Sequence, residues 1–224
     1  MDAIKQIFLV GNSSFAQIAF EYFSSHTKYK VIAFVVDKEY IKEDSLLGVP
    51  VVSPENAKEF FDIKTTGFHV AIPYIKMNTV RENFIKLFKQ LGFKPVSYIS
   101  PSAFVWSNVL LGEHVFIFEG NTVQPFCKIG NNTILWSGNH IGHHSEIGNN
   151  VFISSQVVIS GHTKIGDNSF VGVNSTISNN ISIGKFNWIG MGTILGKDSN
   201  DYDIFKQKST LPHHKNVKEV FLNE

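Results

Sequence analysis

The segment Asn139-His140-Ile141-Gly142-His143-His144-Ser145-Glu146 gathers three of the chain's nine histidines. Imidazole changes charge near neutral pH, so a neutral histidine can accept a proton from an attacking amine or hydroxyl. A reaction that builds negative charge on an oxygen also needs a donor for that oxyanion, and a backbone amide suffices. Three neutral imidazoles are equally a zinc ligand set with an open fourth position. General-base chemistry and metal-assisted chemistry are therefore the two kinds of reaction to weigh. Neither requires Cys127, the one cysteine of the chain, whose position suits packing.

These histidines lie within an internal repeat. From Val105 to Leu195 every sixth residue is aliphatic, as at Ile117, Ile141, Ile147, Ile165 and Ile189. Four places after each stands a residue that is neither large nor charged, such as Asn121, Cys127, Thr133, Ser145 or Thr163. A helical stripe recurs at three and four residues, so a period of six means short strands turning at regular corners around a narrow interior. Gly or Ser often follows the aliphatic residue, where a tight corner is expected to demand positive φ. His140, His143, His144 and His162 fall outside the inward columns, and His114 reads as a surface or corner residue. His213 and His214 read as part of a solvated tail.

The first hundred residues obey a different pattern. Residues 7–10, 31–36 and 70–72 read as buried strands, Gly11-Asn12-Ser13-Ser14 as a turn, and Phe15, Ile18, Ala19 and Tyr22 as a helix face. Ser53-Pro54-Glu55 reads as a helix start, and residues 78–91 as a helix closed by Gly92. Alternating strands and helices imply a small parallel sheet. Gly11 begins a G-x-G-x-x-G pattern, but Ser13 and Ala16 replace its second and third glycines. The second glycine lets a pyrophosphate approach the backbone, so NAD is not expected. Another nucleotide can still sit at the strand ends, with Asp37 facing base or ribose.

A net charge of +1 over 224 residues gives no electrostatic reason to expect nucleic acid or a membrane surface. Without cysteine pairs, signal peptide or transmembrane run, the expectation is a cytoplasmic protein with no membrane insertion.

Segments such as Ile147-Gly148-Asn149-Asn150-Val151 and Ile165-Gly166-Asp167-Asn168-Ser169 resemble the hexapeptide-repeat, left-handed β-helix proteins. Together with the strand-helix domain before them, they resemble the nucleotide-sugar acyltransferases of the PglD and NeuD type. The resemblance implies an α/β plus β-solenoid protein. A Rossmann-like domain (1–100) would hold a nucleotide-linked amino sugar, and a left-handed parallel β-helix of about five coils (101–200) would precede a tail (201–224). It further implies a homotrimer binding acetyl-CoA between subunits, with no metal. Three hexapeptides make one coil in that family, so residues eighteen apart stack, placing His144 over His162 and His143 between Pro125 and Gly161.

The same resemblance makes His143 the general base, Gly161 the amide facing the thioester carbonyl, and Gly190 a cofactor-lining glycine. It aligns Gly11, Ser13, Asp37, Asn78 and Arg81 with nucleotide contacts, while His140, His144 and His162 are candidates to line the substrate. Lys185 and Lys197 are candidates for the phosphates of acetyl-CoA. Related enzymes usually carry Glu or Asp directly after the base, where this chain has His144. Glu146 and Asn139 are the local substitutes for orienting His143. The tail also departs from its relatives, having Ser209-Thr210-Leu211-Pro212-His213-His214-Lys215 in place of a G-x-P-A-K segment. The implied reaction is N-acetylation of a nucleotide-linked amino sugar of the 4-amino-4,6-dideoxy class. O-acetylation of a sialic-acid-type sugar, a carbonic-anhydrase-like zinc enzyme and a noncatalytic nucleotide-binding scaffold are the alternatives. The zinc family spaces its last two ligands five apart, whereas His140 and His144 are four apart.

Overall fold

The computed structural model describes residues 4–222. Its N-terminal part begins with β1 (Gln6–Val10) and α1 (Ser14–His26), then β2 (Lys30–Val35), β3 (Ser45–Leu46) and β4 (Val49–Val52). The short α2 (Ala57–Phe60), β5 (Thr66–Val70), α3 (Thr79–Gln90) and β6 (Lys94–Pro95) follow. The sheet order is β3-β4-β2-β1-β5-β6. All its pairs are parallel except β3 with β4, so the sheet is mixed and the parallel expectation holds for its centre. β1 and β5 are buried on both faces, which explains their apolar runs. The strand expected at 70–72 lies earlier, because Pro73 follows the strand end and the run of buried pairing is Thr66–Val70.

From Tyr98 onward the chain forms two-residue parallel strands in three sheets of seven, six and five, consistent with a left-handed β-helix. Registers such as Phe116↔Ile134 and Ile117↔Leu135 make residues eighteen apart neighbours. The first face runs from Tyr98–Ile99 through Phe116–Ile117 and Ile134–Leu135 to Ile204–Phe205. The second contains Phe104–Val105, His140–Ile141 and Ile194–Leu195, and the third Lys128–Ile129, Glu146–Ile147 and Lys164–Ile165. The six-residue aliphatic column forms one continuous core. The small polar column closes the corners: Thr133, Ser145 and Thr163 donate their hydroxyls to the carbonyls of Gly148, Ser160 and Ser178, at 2.8, 3.1 and 2.8 Å. Each buried hydroxyl thus has its partner inside a column too narrow for larger groups.

The reason for glycine after the aliphatic residue differs from the sequence reading. Positive φ falls two residues later, at Phe126, His144, His162 and Asn180 on one corner. Gly142 is needed for space: a Cβ there would lie 2.5 Å from the Gly161 nitrogen of the next coil.

The first face carries the N-terminal part. Phe15 packs on Phe116 and Trp136 with ring centroids 5.6 and 5.3 Å apart, and the Tyr22 hydroxyl donates to Glu119 at 2.6 Å. Beneath this aromatic layer lie fully buried polar groups. His69 and His114 stack at 4.1 Å with rings 6° from parallel, His69 shares a 2.8 Å hydrogen bond with the Val96 carbonyl, and the Val70 amide donates to His114 Nε2 at 2.7 Å. His114 is therefore a corner residue, but a buried one, because the N-terminal part covers its corner. Burial holds His69 down to about 4 and His114 well below the ordinary imidazole range, so both are neutral.

Asn78 and Arg81 belong to the same interface, contrary to a nucleotide-binding role. Both are fully buried. Arg81 donates from Nε to Asn132 Oδ1 at 2.8 Å, from Nη2 to the Asn132 carbonyl at 3.0 Å, and from Nη1 to Asn78 Oδ1 at 2.9 Å. Asn78 reaches the Ser169 carbonyl at 3.4 Å. These side chains tie α3 to the solenoid corner, and their hydrogen-bonding capacity is spent there.

Candidate active site

His143 and His144 occupy the corner between the second and third faces. The backbone fixes them from both sides: His144 N donates to the Pro125 carbonyl at 3.1 Å, and His162 N to the His143 carbonyl at 2.9 Å. The His143 amide is held by Gln124 Oε1 at 2.9 Å. One coil on, the His143 ring lies over Gly161, where a Cβ would come within 2.8 Å of ring atom Cε1. Gly161 thus supplies room for the imidazole. Its own amide donates to no acceptor among the described residues, as is also true of Asp167 and Asn179 at the equivalent position, whereas the amides of Glu113, Asn131 and Asn149 are each capped by a side chain. An unengaged N–H beside a histidine is the pair that acyl transfer requires.

The His143 ring is hydrogen-bonded to the His144 ring. The two Nδ1 atoms are 3.1 Å apart, so one ring donates and the other accepts. A proton on His143 Nδ1 leaves its Nε2 as the free acceptor. His144 is held below the ordinary histidine range by partial desolvation and then by the imidazoles of His162 and His143, and so stays neutral and able to accept. The other expected partners are engaged elsewhere. Glu146 lies on the third face, 3.4 Å from Lys128 Nζ, and Asn139 is buried, donating to the Trp136 carbonyl at 2.6 Å and accepting from Val157 N at 2.8 Å.

His144 stacks on His162, with centroids 4.8 Å apart and rings 14° from parallel, as the repeat predicts. Phe126 extends the column on the other side at 4.7 Å. Phe126 and Gln124 were not anticipated, although counting eighteen and nineteen residues back from His144 and His143 reaches them. His140 is half-buried on the second face between Thr122 and Val158.

The remaining candidates lie at other places. Gly190 is on the corner between the first and second faces, in a groove with Trp188, Met191 and Lys206. Lys185 lines a groove along the third face and sits 3.6 Å from Asp167, while Lys197 is exposed. Gly11, Ser13 and Asp37 do converge, in a cleft of about 320 Å³ at the carboxyl ends of β1 and β2 that Tyr40, Ile72 and Phe84 also line. Burial, with Glu39 and Glu55 nearby, raises the Asp37 carboxyl above its ordinary value.

Residues 144–179 match the family model described as bacterial transferase hexapeptide, six repeats. That segment of the solenoid carries hexapeptide repeats of this kind. No curated protein sequence matches the chain. Solved structures share the fold over most of its length. A mutant of perosamine N-acetyltransferase from Caulobacter crescentus, in complex with CoA and GDP-perosamine, is 24% identical with a TM-score of 0.79, covering 89% of this chain and 92% of that one. The acetyltransferase domain of PglB from Neisseria gonorrhoeae FA1090 with acetyl coenzyme A is 19% identical, TM-score 0.72, covering 90% and 95%. WeeI from Acinetobacter baumannii AYE is 20% identical, TM-score 0.69, covering 91% and 96%. The solenoid and the part that precedes it are matched together in all three. Among the described residues no helix is long and apolar enough to cross a membrane.

Proposed function

We propose that the chain is an acetyl-CoA-dependent N-acetyltransferase that acts on the amine of a nucleotide-linked amino sugar of the 4-amino-4,6-dideoxy class. The observation that carries this reading is the His143 ring lying over Gly161, with the Gly161 amide unengaged. The fold shared with proteins described as bound to CoA, acetyl coenzyme A and GDP-perosamine supports the choice of substrates. In the proposed reaction the sugar amine attacks the thioester carbonyl, His143 Nε2 takes the proton lost by nitrogen, and the Gly161 N–H donates to the developing oxyanion. The C–N bond forms, the C–S bond breaks, and His143 returns its proton to the departing thiolate. His144 keeps the base in the productive tautomer. Gly11, Ser13 and Asp37 would contact the nucleotide in a Rossmann-like domain, and a β-helix of about five coils would carry the transfer site.

We read the working form as a cytoplasmic homotrimer. The outward column of the second face, Phe104, Thr122, His140, Val158, Thr176 and Ile194, carries no Asp, Glu, Lys or Arg, with Ile194 75% exposed. The third face instead shows Lys128, Glu146 and Lys164. The second face is bordered by the His143 corner on one edge and the Gly190 corner on the other, so copies packed there would bring the two edges together across an interface. Acetyl-CoA would then run between subunits, with Gly190 lining it.

The test is mass spectrometry of products after incubation with acetyl-CoA and GDP-, UDP- or dTDP-linked amino sugars. An acetamide on the sugar nitrogen supports the reading. Acetylation only of hydroxyl acceptors would overturn it.

A further inference from the structure

We propose that His143, His144 and His162 form a zinc site on one chain, and that a bound zinc ion silences the base. One ring nitrogen from each lies within 4.8 Å of the others. Tetrahedral Zn–N bonds of about 2.0–2.1 Å hold two nitrogens roughly 3.3 Å apart, and the Nδ1 atoms of His143 and His144 are already at 3.1 Å. The spacing therefore suits an ion seated to one side of the line joining them, once the two rings turn their lone pairs toward it. His162 stands parallel to His144 and edge-on to His143, at ring centroid distances of 4.8 and 5.1 Å, and a modest side-chain rotation brings its nitrogen to the ion.

Two features favour binding. The ligands rise from a rigid corner, since amide-to-carbonyl bonds at His144 and His162 lock successive coils together. All three rings are also exposed, leaving an open side for water as the fourth ligand. The set is purely imidazole: the nearest carboxylate in sequence, Glu146, faces Lys128 on the third face. Neutral nitrogen donors select zinc and its first-row neighbours over magnesium or calcium, which take oxygen ligands. With its ring bound to the ion, His143 cannot carry the substrate proton. The silencing rests on the proposed acetyl transfer, whereas the binding does not.

The experiment is titration of the full chain with Zn²⁺ against a chromophoric chelator, in the wild type, in His162→Asn, and in a His213→Asn, His214→Asn variant that removes the tail pair. Asparagine suits position 162, because Asn180 holds the same corner one coil on with φ of 59°. One ion per chain is expected, with affinity at least tenfold weaker in His162→Asn and unchanged in the tail variant. Saturating zinc should slow wild-type acetyl transfer at least tenfold, with recovery after chelation. Affinity unchanged in His162→Asn, or lost in the tail variant, overturns the site. Transfer that continues with zinc bound overturns the silencing. If no acceptor is acetylated without zinc, the proposed function fails while the titration still decides the site.

Discussion

His143 Nδ1 lies 3.1 Å from His144 Nδ1, so the candidate base is hydrogen-bonded to a second imidazole. A neutral partner fixes the ring but adds no charge to stabilise the imidazolium formed during proton transfer. A carboxylate at position 144 would favour the charged form of His143. His144→Asp is therefore expected to move the acid limb of the kcat/KM profile upward by about one pH unit. His144→Asn should lower kcat about tenfold while KM for the nucleotide sugar changes little. An acid limb unmoved in His144→Asp would rule out the orienting role.

The His143 ring requires the bare backbone of Gly161. A Cβ in Gly161→Ala would meet Cε1 at 2.8 Å and push the imidazole off its position. Displacing a reacting group by about an ångström costs on the order of 100-fold in rate. The expected result is a kcat loss of that order with a melting temperature within a few degrees of wild type. Full activity in Gly161→Ala would contradict the assigned geometry.

The His69–His114 stack makes the interface between the two parts acid-sensitive. His69 is held neutral down to about 4, whereas in the unfolded chain it takes a proton near 6.5. The unfolded state then binds more protons between these values, so the stability is present above pH 6.5 and falls as pH drops toward 4. His69 contributes on the order of 3 kcal/mol to this loss, and His114 acts in the same direction. Urea unfolding at a series of pH values checks it, and His114→Asn should flatten the slope. A stability that rises below pH 6 would refute the account.

Arg81 separates a structural role from a ligand role. Replacing it with leucine strips the Asn132 and Asn78 acceptors of their partner inside the interface, which should cost about 3 kcal/mol. Nucleotide-sugar KM should change less than threefold in the folded fraction. A hundredfold rise in KM at unchanged stability would restore the nucleotide-binding role.

For Asp37 the expectation is reversed. It faces the cleft at the ends of β1 and β2, so Asp37→Asn should raise KM for the nucleotide sugar about tenfold with little change in kcat or melting temperature. Equal KM values for the two proteins would remove Asp37 from the site.

The solenoid was legible because each position of its six-residue unit has one job. Ile117 and Ile141 must fill the core, Thr133 and Thr163 must close corners, and the register then stacks His144 on His162 by arithmetic. What could not be read was which face another part of the chain covers. His114 looks like any corner residue until His69 and Val70 of β5 are packed over it, and Arg81 looks like a helix-surface charge until Asn132 receives it. Such contacts join residues 44 or 51 apart with no repeat to relate them. The misplaced reason for glycine is of the same kind: Gly142 answers to the next coil's backbone, not to its own dihedral.

In the proposed reaction His143 removes the proton from a sugar amine as acetyl-CoA is attacked. Free thiol release from acetyl-CoA, followed with a panel of GDP-, UDP- and dTDP-linked amino sugars for wild type and His143→Asn, tests it most directly. Release is expected with at least one amine acceptor, falling by about 100-fold or more in the variant at unchanged melting temperature. Release at the wild-type rate from His143→Asn would contradict it.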